Sequence, residues 1–283
     1  MTAEPALPAS LRARVLDASH QARPAGRSFP AVQEISPVEA FRRTADALYL
    51  TLRALPEGGW SRPAVRDLDV QGLVGHLIGV ERDLQRALSG APPAGAAGHV
   101  QSTQGTAVRQ AGRRADQTLG EWRRAVARTL IRLAGAGDLS AVVAMPGVRM
   151  PLRALLVARA FELWAHDSDV RVTSGLPAVV PDAPTLTLMT RLAASLLPRA
   201  GGRDRPGPPA LLHLVLTGPG GGTWDIETGK AGVRSRVSIV ADAAAFCRLV
   251  ANRISPASLG AHITGDHAAA AGILAAAATL ALD

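Results

Sequence analysis

Cysteine, lysine and aromatic residues are scarce in this 283-residue chain. Cys247 is its only cysteine, which excludes an internal disulfide framework and any multi-cysteine zinc or iron–sulfur site. We therefore expect a cytoplasmic protein, in which histidine and carboxylate side chains would have to bind any metal. Aromatic residues make up 3% of the chain, so its buried cores must consist of aliphatic side chains and alanine.

The sequence also lacks the features of a membrane or nucleic-acid-binding protein. The most apolar run, residues 268–282, is mostly alanine and is shorter than the roughly 20 residues that cross a bilayer. The N-terminus has no apolar segment behind a basic start, as a secretory signal would. The formal charge of +8 favours nucleic acid as a partner, but the nine aromatic residues are too dispersed for base stacking. A basic nucleic-acid-associated bundle is the least favoured interpretation.

Helical periodicity dominates residues 36–173. Residues 1–35 carry four prolines and no sustained period, so we expect a poorly ordered N-terminal arm. Ser36 followed by Pro37 is typical of a helix start, and Asp69 is a second candidate N-cap. The pattern predicts helices over residues 36–55, 69–90, 101–134 and 151–172. Four helices with short or medium connections predict an antiparallel four-helix bundle.

A smaller α/β domain is predicted over residues 184–283. After a proline-rich link, the pattern predicts a helix near residues 184–198. The stretches LLHLVLTG, TWDIETG and VSIVAD are alternating or continuous apolar runs typical of short strands. Asp242 and Asp266 are N-cap candidates for two further helices. The predicted fold class is therefore α+β, a helical bundle followed by a smaller mixed domain.

Residue spacing predicts two packing features of the bundle. In the second helix, Gly72, Gly75 and Gly79 each cost about 1 kcal/mol of helix propensity relative to alanine, which suggests close approach of a neighbouring helix. In the third helix, apolar residues recur at steps of three and four between Val108 and Leu133 and predict one buried stripe. The other faces of this helix carry seven arginines, which we interpret as a solvated basic surface.

His76, Glu162 and His166 are candidate metal ligands. Glu162 and His166 lie four residues apart on a strongly helical segment, so their side chains leave the same face. His76 lies on the buried stripe of the second helix, and facing helices of a bundle can bring it to the same ion. Two imidazoles and one carboxylate leave coordination positions open, as in catalytic metal sites. Ordinary polar contacts in the core are the alternative on spacing alone.

Two stretches around these residues resemble the mycothiol-dependent maleylpyruvate isomerase family. They are WSRP with LDVQGLVGHLIG, which contains His76, and RAFELWAHDSDV, which contains Glu162 and His166. The resemblance implies a DinB-like four-helix bundle in which these three residues bind a divalent metal, usually zinc. The segment from TWDIETG to AHITGD is similar to the family's smaller α/β C-terminal domain, which has a sterol-carrier-like shape. Leu68 departs from the family pattern, in which an aromatic residue is common, and we expect this position to serve packing.

The resemblance implies an enzyme that uses mycothiol as a thiol cosubstrate. Coordination of a thiol to a dication deprotonates the sulfur, and the thiolate is the reactive form. Attack on an electrophilic small molecule would give S-transfer, or cis–trans isomerisation of the maleylpyruvate type after bond rotation and loss of the thiol. Cys247 lies on a predicted buried helix face and is not expected to be the nucleophile. The alternative is a non-catalytic sensor or carrier that binds metal, thiol or a small ligand.

Three further residues are candidates for supporting roles at this site. Arg159 shares a helix face with Glu162; it would either form an ion pair with a bundle carboxylate or guide an anionic substrate. Asp169, or Asp167, could hydrogen bond a ligating histidine and orient it. The oligomeric state is left open by the sequence.

Overall fold

The computed structural model describes residue 14 and residues 33–93, 99–200, 209–229 and 235–280. Residues 34–283 form one unit, with a helical N-terminal region and a C-terminal region built on a sheet. The predicted α+β class is confirmed. The predicted N-terminal arm, residues 1–35, lies almost entirely outside the described residues.

The described part of the helical region contains five helices and two short hairpins. The helices are α1 (Pro37–Arg53), α2 (Val70–Leu88), α3 (His99–Gln110), α4 (Ala115–Ala134) and α5 (Leu152–Thr173), and a 3₁₀ turn, Glu57–Gly59, follows α1. The antiparallel hairpins are β1 (Pro63–Val65) with β2 (Leu68–Asp69) before α2, and β3 (Val142–Met145) with β4 (Val148–Pro151) before α5. The sequence analysis did not predict these hairpins because such short strands show no clear alternating pattern.

The predicted start signals cap the first two helices. The Ser36 hydroxyl accepts a hydrogen bond from the Glu39 amide, and the Asp69 carboxylate accepts one from the Gly72 amide. Each bond satisfies an amide that has no partner within the helix. These local contacts determine where α1 and α2 begin, and hence the position of His76 along α2.

The prediction of one helix over residues 101–134 is wrong, because the chain turns between α3 and α4. Gly112 lies in this turn at φ +73°, a left-handed conformation that glycine adopts without strain. The expected apolar stripe holds in α4, where Trp122 is fully buried, whereas Val108 in α3 is exposed. α3 instead buries Thr103 and Gln110.

Close approach of a neighbouring helix is confirmed at two of the three glycines of α2. A β-carbon at Gly75 would lie 2.8 Å from Cα of Ala107, and one at Gly79 would lie 2.8 Å from Cγ2 of Thr103. Both neighbours belong to α3, so the missing side chains allow α3 to pack directly on α2. This packing brings Thr103 to the side chain of His76.

We expect Gly75→Ala to lower the free energy of unfolding by about 1–3 kcal/mol, because the added methyl group would overlap the α3 backbone. Gly105→Ala, on the exposed face of α3, is the matched control. Its methyl group would lie no closer than 3.5 Å to the Arg109 guanidinium, so stability should rise by up to about 1 kcal/mol. Urea unfolding measures both changes, and equal stability of the two variants would contradict the close approach.

The C-terminal region is a four-stranded sheet with helices packed on one face. It comprises helix α6 (Ala183–Leu196), a 3₁₀ turn (Leu197–Arg199), strands β5 (Ala210–Thr217), β6 (Gly222–Thr228) and β7 (Ser235–Asp242), helix α7 (Ala243–Val250), a 3₁₀ turn (Pro256–Leu259), strand β8 (His262–Gly265) and helix α8 (His267–Ala278). The strand order is β6-β5-β7-β8; β5 and β7 are parallel and the other pairs are antiparallel. The three predicted strands are confirmed, and the short β8 was missed. In the part of the chain that the structure describes, no helix is both long and apolar enough to span a membrane.

Two hydrophobic cores meet on α5. Leu156 and Leu163 belong to the core of the bundle, while Phe161 and Trp164 belong to the core that includes the inner face of the sheet. Because α5 is covered on nearly all sides, its polar side chains lie in buried surroundings. Cys247 lies in the second core, where burial raises the pKa of its thiol far above the ordinary range, as expected for an inert cysteine.

Candidate metal centre

The three predicted ligands meet between α2 and α5. One potential donor atom from each of His76, Glu162 and His166 lies within 4.8 Å of the others, and each residue is at most 5% exposed. His76 comes from α2, whereas Glu162 and His166 leave one face of α5 a turn apart. Nε2 of His76 lies 3.1 Å from Oε1 of Glu162. Donors about 2.0–2.2 Å from a tetrahedral zinc lie about 3.4 Å from each other, so this separation fits a shared ion.

Thr103 determines which nitrogen of His76 faces Glu162. The Thr103 hydroxyl donates to the carbonyl oxygen of Val100 at 3.0 Å, and its oxygen lies 2.6 Å from Nδ1 of His76. A hydroxyl that donates to Val100 can only accept from His76, and this arrangement corresponds to the tautomer with the ring proton on Nδ1. The lone pair of Nε2 is then directed at a carboxylate oxygen. Two acceptors that face each other in a buried site suit a cation placed between them.

Asp169 and Arg253 orient the second histidine. Oδ2 of Asp169 lies 3.0 Å from Nδ1 of His166, and Arg253 donates to both oxygens of Asp169 at 2.7 Å. Burial would raise the pKa of Asp169, but the hydrogen bonds from His166 and Arg253 outweigh it and hold this pKa below its ordinary value. The ionised Asp169 accepts the Nδ1 proton, so Nε2 is the nitrogen that would coordinate an ion.

Arg159 lies behind Glu162, away from solvent. The Arg159 side chain is 2% exposed; it donates to Oε2 of Glu162 and, at 2.9 Å, to Oε1 of Glu81. The other oxygen of Glu81 accepts from the Thr129 hydroxyl at 2.6 Å. Burial lowers the pKa of Arg159, and the charge of Glu81 opposes this shift. These contacts correspond to the ion-pair interpretation of Arg159.

Asp167 lies next to His166 in sequence but points to a different side of α5. Its Oδ2 accepts a hydrogen bond from Nε of Arg171 at 2.8 Å. Successive residues of a helix are turned about 100° from each other, so Asp167 and His166 face different neighbours. The structure therefore places Asp169, and not Asp167, against the candidate ligand.

A small cleft leads to the two histidines. It has a volume of about 150 Å³ and is lined by His76 and His166, by α3 and by the β1–β2 turn, Val65 to Leu68. Within this turn, Arg66 has φ +53°, an uncommon conformation for a residue other than glycine and one often found at functional sites. Leu68, which was expected to serve packing, lines this cleft and would contact whatever enters it.

Sequence reasoning missed Thr103, Glu81 and Arg253. Nothing in the sequence marks Thr103 or Arg253 as the partner of a candidate ligand, and Arg253 lies 84 residues from its partner Asp169. Glu81 did carry a signal, because it is an acidic residue five positions after His76 on a mostly buried helix. A fully buried acid of this kind requires a cationic partner, which is Arg159.

Residues 41–171 match the sequence profile of the mycothiol maleylpyruvate isomerase N-terminal domain. This part of the chain belongs to that family. The matched range covers most of α1 and α5 and everything between them, and it contains His76, Glu162 and His166. The family assignment made from the sequence is thereby confirmed.

Two solved structures of this family share the fold over a longer stretch. The mycothiol-dependent maleylpyruvate isomerase matches with a TM-score of 0.57 and 16% identity, over 81% of this chain and 91% of its own. A histidine-to-alanine mutant of the mycothiol-dependent maleylpyruvate isomerase matches with a TM-score of 0.55 and 16% identity, over 77% and 88% of the two chains. No curated protein matches the chain. An identity of 16% shows that the chain shares the fold of these isomerase structures. The shared fold extends beyond residues 41–171 into the sheet region.

Proposed function

We propose that this protein is a metal-dependent enzyme that activates a low-molecular-weight thiol, mycothiol, for attack on an electrophilic small molecule. The product would arise by S-transfer or by cis–trans isomerisation of the maleylpyruvate type. The observation that carries the proposal is the convergence of two imidazoles and one carboxylate in a buried site that opens to a cleft. Membership of the mycothiol maleylpyruvate isomerase family supports the choice of thiol.

The ion would be held by Nε2 of His76, Oε1 of Glu162 and Nε2 of His166, and we propose zinc as the metal. Three protein ligands leave an open position, which distinguishes catalytic from structural zinc sites. When bound, the dication lowers the pKa of a coordinating thiol, so that the reactive thiolate forms at neutral pH.

The surrounding residues act by positioning these donors. Thr103 keeps the proton of His76 on Nδ1, and Asp169 does the same for His166. Arg159 binds the far oxygen of Glu162 and thereby directs the near oxygen toward His76. We therefore propose that Arg159 is a positioning residue, because its guanidinium lies between carboxylates.

The fate of the thiol separates the two possible reactions. In isomerisation, the thiolate adds to one carbon of a double bond that is conjugated to a carbonyl group. The π electrons of that double bond then move toward the carbonyl oxygen. The resulting single bond rotates, and departure of the thiolate restores the double bond in the other geometry. In S-transfer, a proton is added instead and the carbon–sulfur bond remains. An isomerase regenerates the thiol, whereas a transferase consumes it.

A non-catalytic sensor or carrier is the second candidate, and the size of the cleft favours it. Its volume of about 150 Å³ is well below the roughly 300–1,000 Å³ of typical small-molecule sites. A thiol and an electrophile together would require the β1–β2 turn or α3 to move outward. A carrier of a small ligand would not.

The proposal is tested with the purified full chain, its metal content, mycothiol and a panel of electrophiles that includes maleylpyruvate. We expect about one zinc per chain and turnover that is lost in His76→Ala but kept in His213→Ala, an exposed histidine of the sheet. Zinc and thiol binding without consumption of any electrophile would favour the carrier. A protein that binds no divalent ion would contradict the enzyme and any sensor or carrier that depends on the metal.

We expect Arg253→Met to weaken zinc binding about 10–100-fold, the usual cost of removing an outer partner of a metal ligand. Without the guanidinium, Asp169 would be free to turn away from His166. Titration against a competing chelator measures the affinity. Arg236→Met removes an exposed arginine of the same sheet region and should leave the zinc affinity unchanged. Equal zinc affinities of the two variants would show that Arg253 does not support the site.

A further inference from the structure

A second cleft lies on the side of α5 that faces away from the metal centre. It is bounded by α1, α5 and the segment before α6, and its volume is about 390 Å³, within the range of small-molecule sites. None of the three candidate metal ligands lines it. Its apolar walls consist of Ala47, Leu50, Trp164, Val179, Val180 and Pro181.

Two of the side chains that line this cleft, which we call the α1–α5 cleft, contain buried polar atoms without a partner. Asp167 is 3% exposed; its Oδ2 is bound by Arg171, whereas Oδ1 has no hydrogen-bond partner among the described residues. The hydroxyl oxygen of Thr185, which is 1% exposed, likewise accepts no hydrogen bond in that part of the chain. Unpaired buried polar atoms are unfavourable, so a ligand that binds them is favoured.

The walls of the α1–α5 cleft are held in place by contacts of their own. The Trp164 indole donates to the carbonyl oxygen of Val179 at 2.9 Å. Arg43 of α1 binds Asp182, and Asp182 caps α6 by accepting from the amide of Thr185. Because these contacts fix both sides of the cleft, a ligand would not have to order them, which lowers the cost of binding.

The charges of the α1–α5 cleft favour a hydrogen-bond donor over an anion. Arg42 and Arg43 both line the cleft, and each is bound by two carboxylates. Asp167 is paired with Arg171 through Oδ2, so the acceptor that is left for a ligand is its Oδ1. We infer that the cleft binds a small amphipathic amine, whose ammonium group would donate to Asp167 and Thr185 while its apolar body packs on Trp164. Such a bond between two charged groups is stronger than a neutral hydrogen bond.

This inference is tested by isothermal titration calorimetry of the full chain with phenethylammonium. This probe is an aromatic ring joined to a short amine. We expect saturable binding of one molecule per chain. 3-Phenylpropanoate has the same apolar body and the opposite charge, and it should bind at least about tenfold more weakly. The absence of saturable amine binding up to about 10 mM, or equal binding of amine and acid, would overturn the inference.

Three variants locate the amine. Ala47→Trp, at an exposed position, fills the mouth of the cleft, and Asp167→Asn removes the charged acceptor. Each should weaken binding about tenfold or more. Ala127→Trp adds the same side chain at an exposed position of α4 and should leave binding unchanged. Wild-type affinity in Ala47→Trp would place the amine elsewhere and refute the inference, whatever the zinc content and turnover of the protein.

Discussion

Glu162→Gln is expected to lower the affinity for zinc by more than about 100-fold, beyond the usual effect of outer partners, because it removes the only anionic ligand of the site. The fold should tolerate the change. A glutamine amide can donate to Nε2 of His76, which now faces a carboxylate oxygen at 3.1 Å. The free energy of unfolding of the metal-free protein should therefore change by less than about 1 kcal/mol.

The loss of affinity is measured by titration against a chelator, and the stability by urea unfolding without metal. Asp225→Asn is the matched control, because it also converts a carboxylate beside a histidine to an amide; Oδ1 of Asp225 lies 2.7 Å from His213 on the exposed face of the sheet. Zinc affinity should not change in this control. Wild-type zinc affinity in Glu162→Gln would remove Glu162 from the ligand set.

Arg159→Met is expected to lower the free energy of unfolding of the metal-free protein by about 3–5 kcal/mol at neutral pH. The guanidinium is the charge partner of two buried carboxylates, Glu81 and Glu162, and its removal leaves both charges in the core. Methionine keeps much of the volume of the arginine side chain. The decrease in the free energy of unfolding therefore comes from the uncompensated charges more than from a cavity.

Two comparisons identify this charge as the cause. Arg123→Met removes a partly exposed ion pair with Asp46 and should cost less than about 1 kcal/mol. Adding Glu81→Gln to Arg159→Met should recover part of the loss, because one buried charge disappears with its partner. A loss in Arg159→Met no greater than that in Arg123→Met would show that Glu81 and Glu162 do not depend on the arginine.

Helix starts were predictable because their causes are local. Asp242 and Asp266 accept hydrogen bonds from the amides of Ala245 and Ala269, three residues later, just as Ser36 and Asp69 do. A cap involves only four consecutive residues, so the sequence contains all of it. The break between α3 and α4 was missed because the apolar spacing continues through Gly112, although tertiary contacts bury another face of α3.

The candidate site was predictable in part for the same reason. Glu162 and His166 share a helix face whatever surrounds them, and His76 was included through the buried stripe of α2 and the family resemblance. The residues that support these ligands could not be found in this way. The bonds of His76 with Thr103 and of Arg159 with Glu81 span 27 and 78 residues, and no periodicity relates residues that far apart.

By itself, the sequence determined most of the helix starts and three strands of the sheet, because these follow from side-chain spacing and caps within single elements. Its motifs also indicated the family and the three donors that could share an ion. Only the tertiary structure decided how the donors are oriented and what surrounds them. It turned Asp169 toward His166 and Asp167 toward the α1–α5 cleft, although both residues flank the same turn of α5. The physical reason is that burial and hydrogen bonding depend on the helices that pack against α5, and the order of residues along α5 does not specify them.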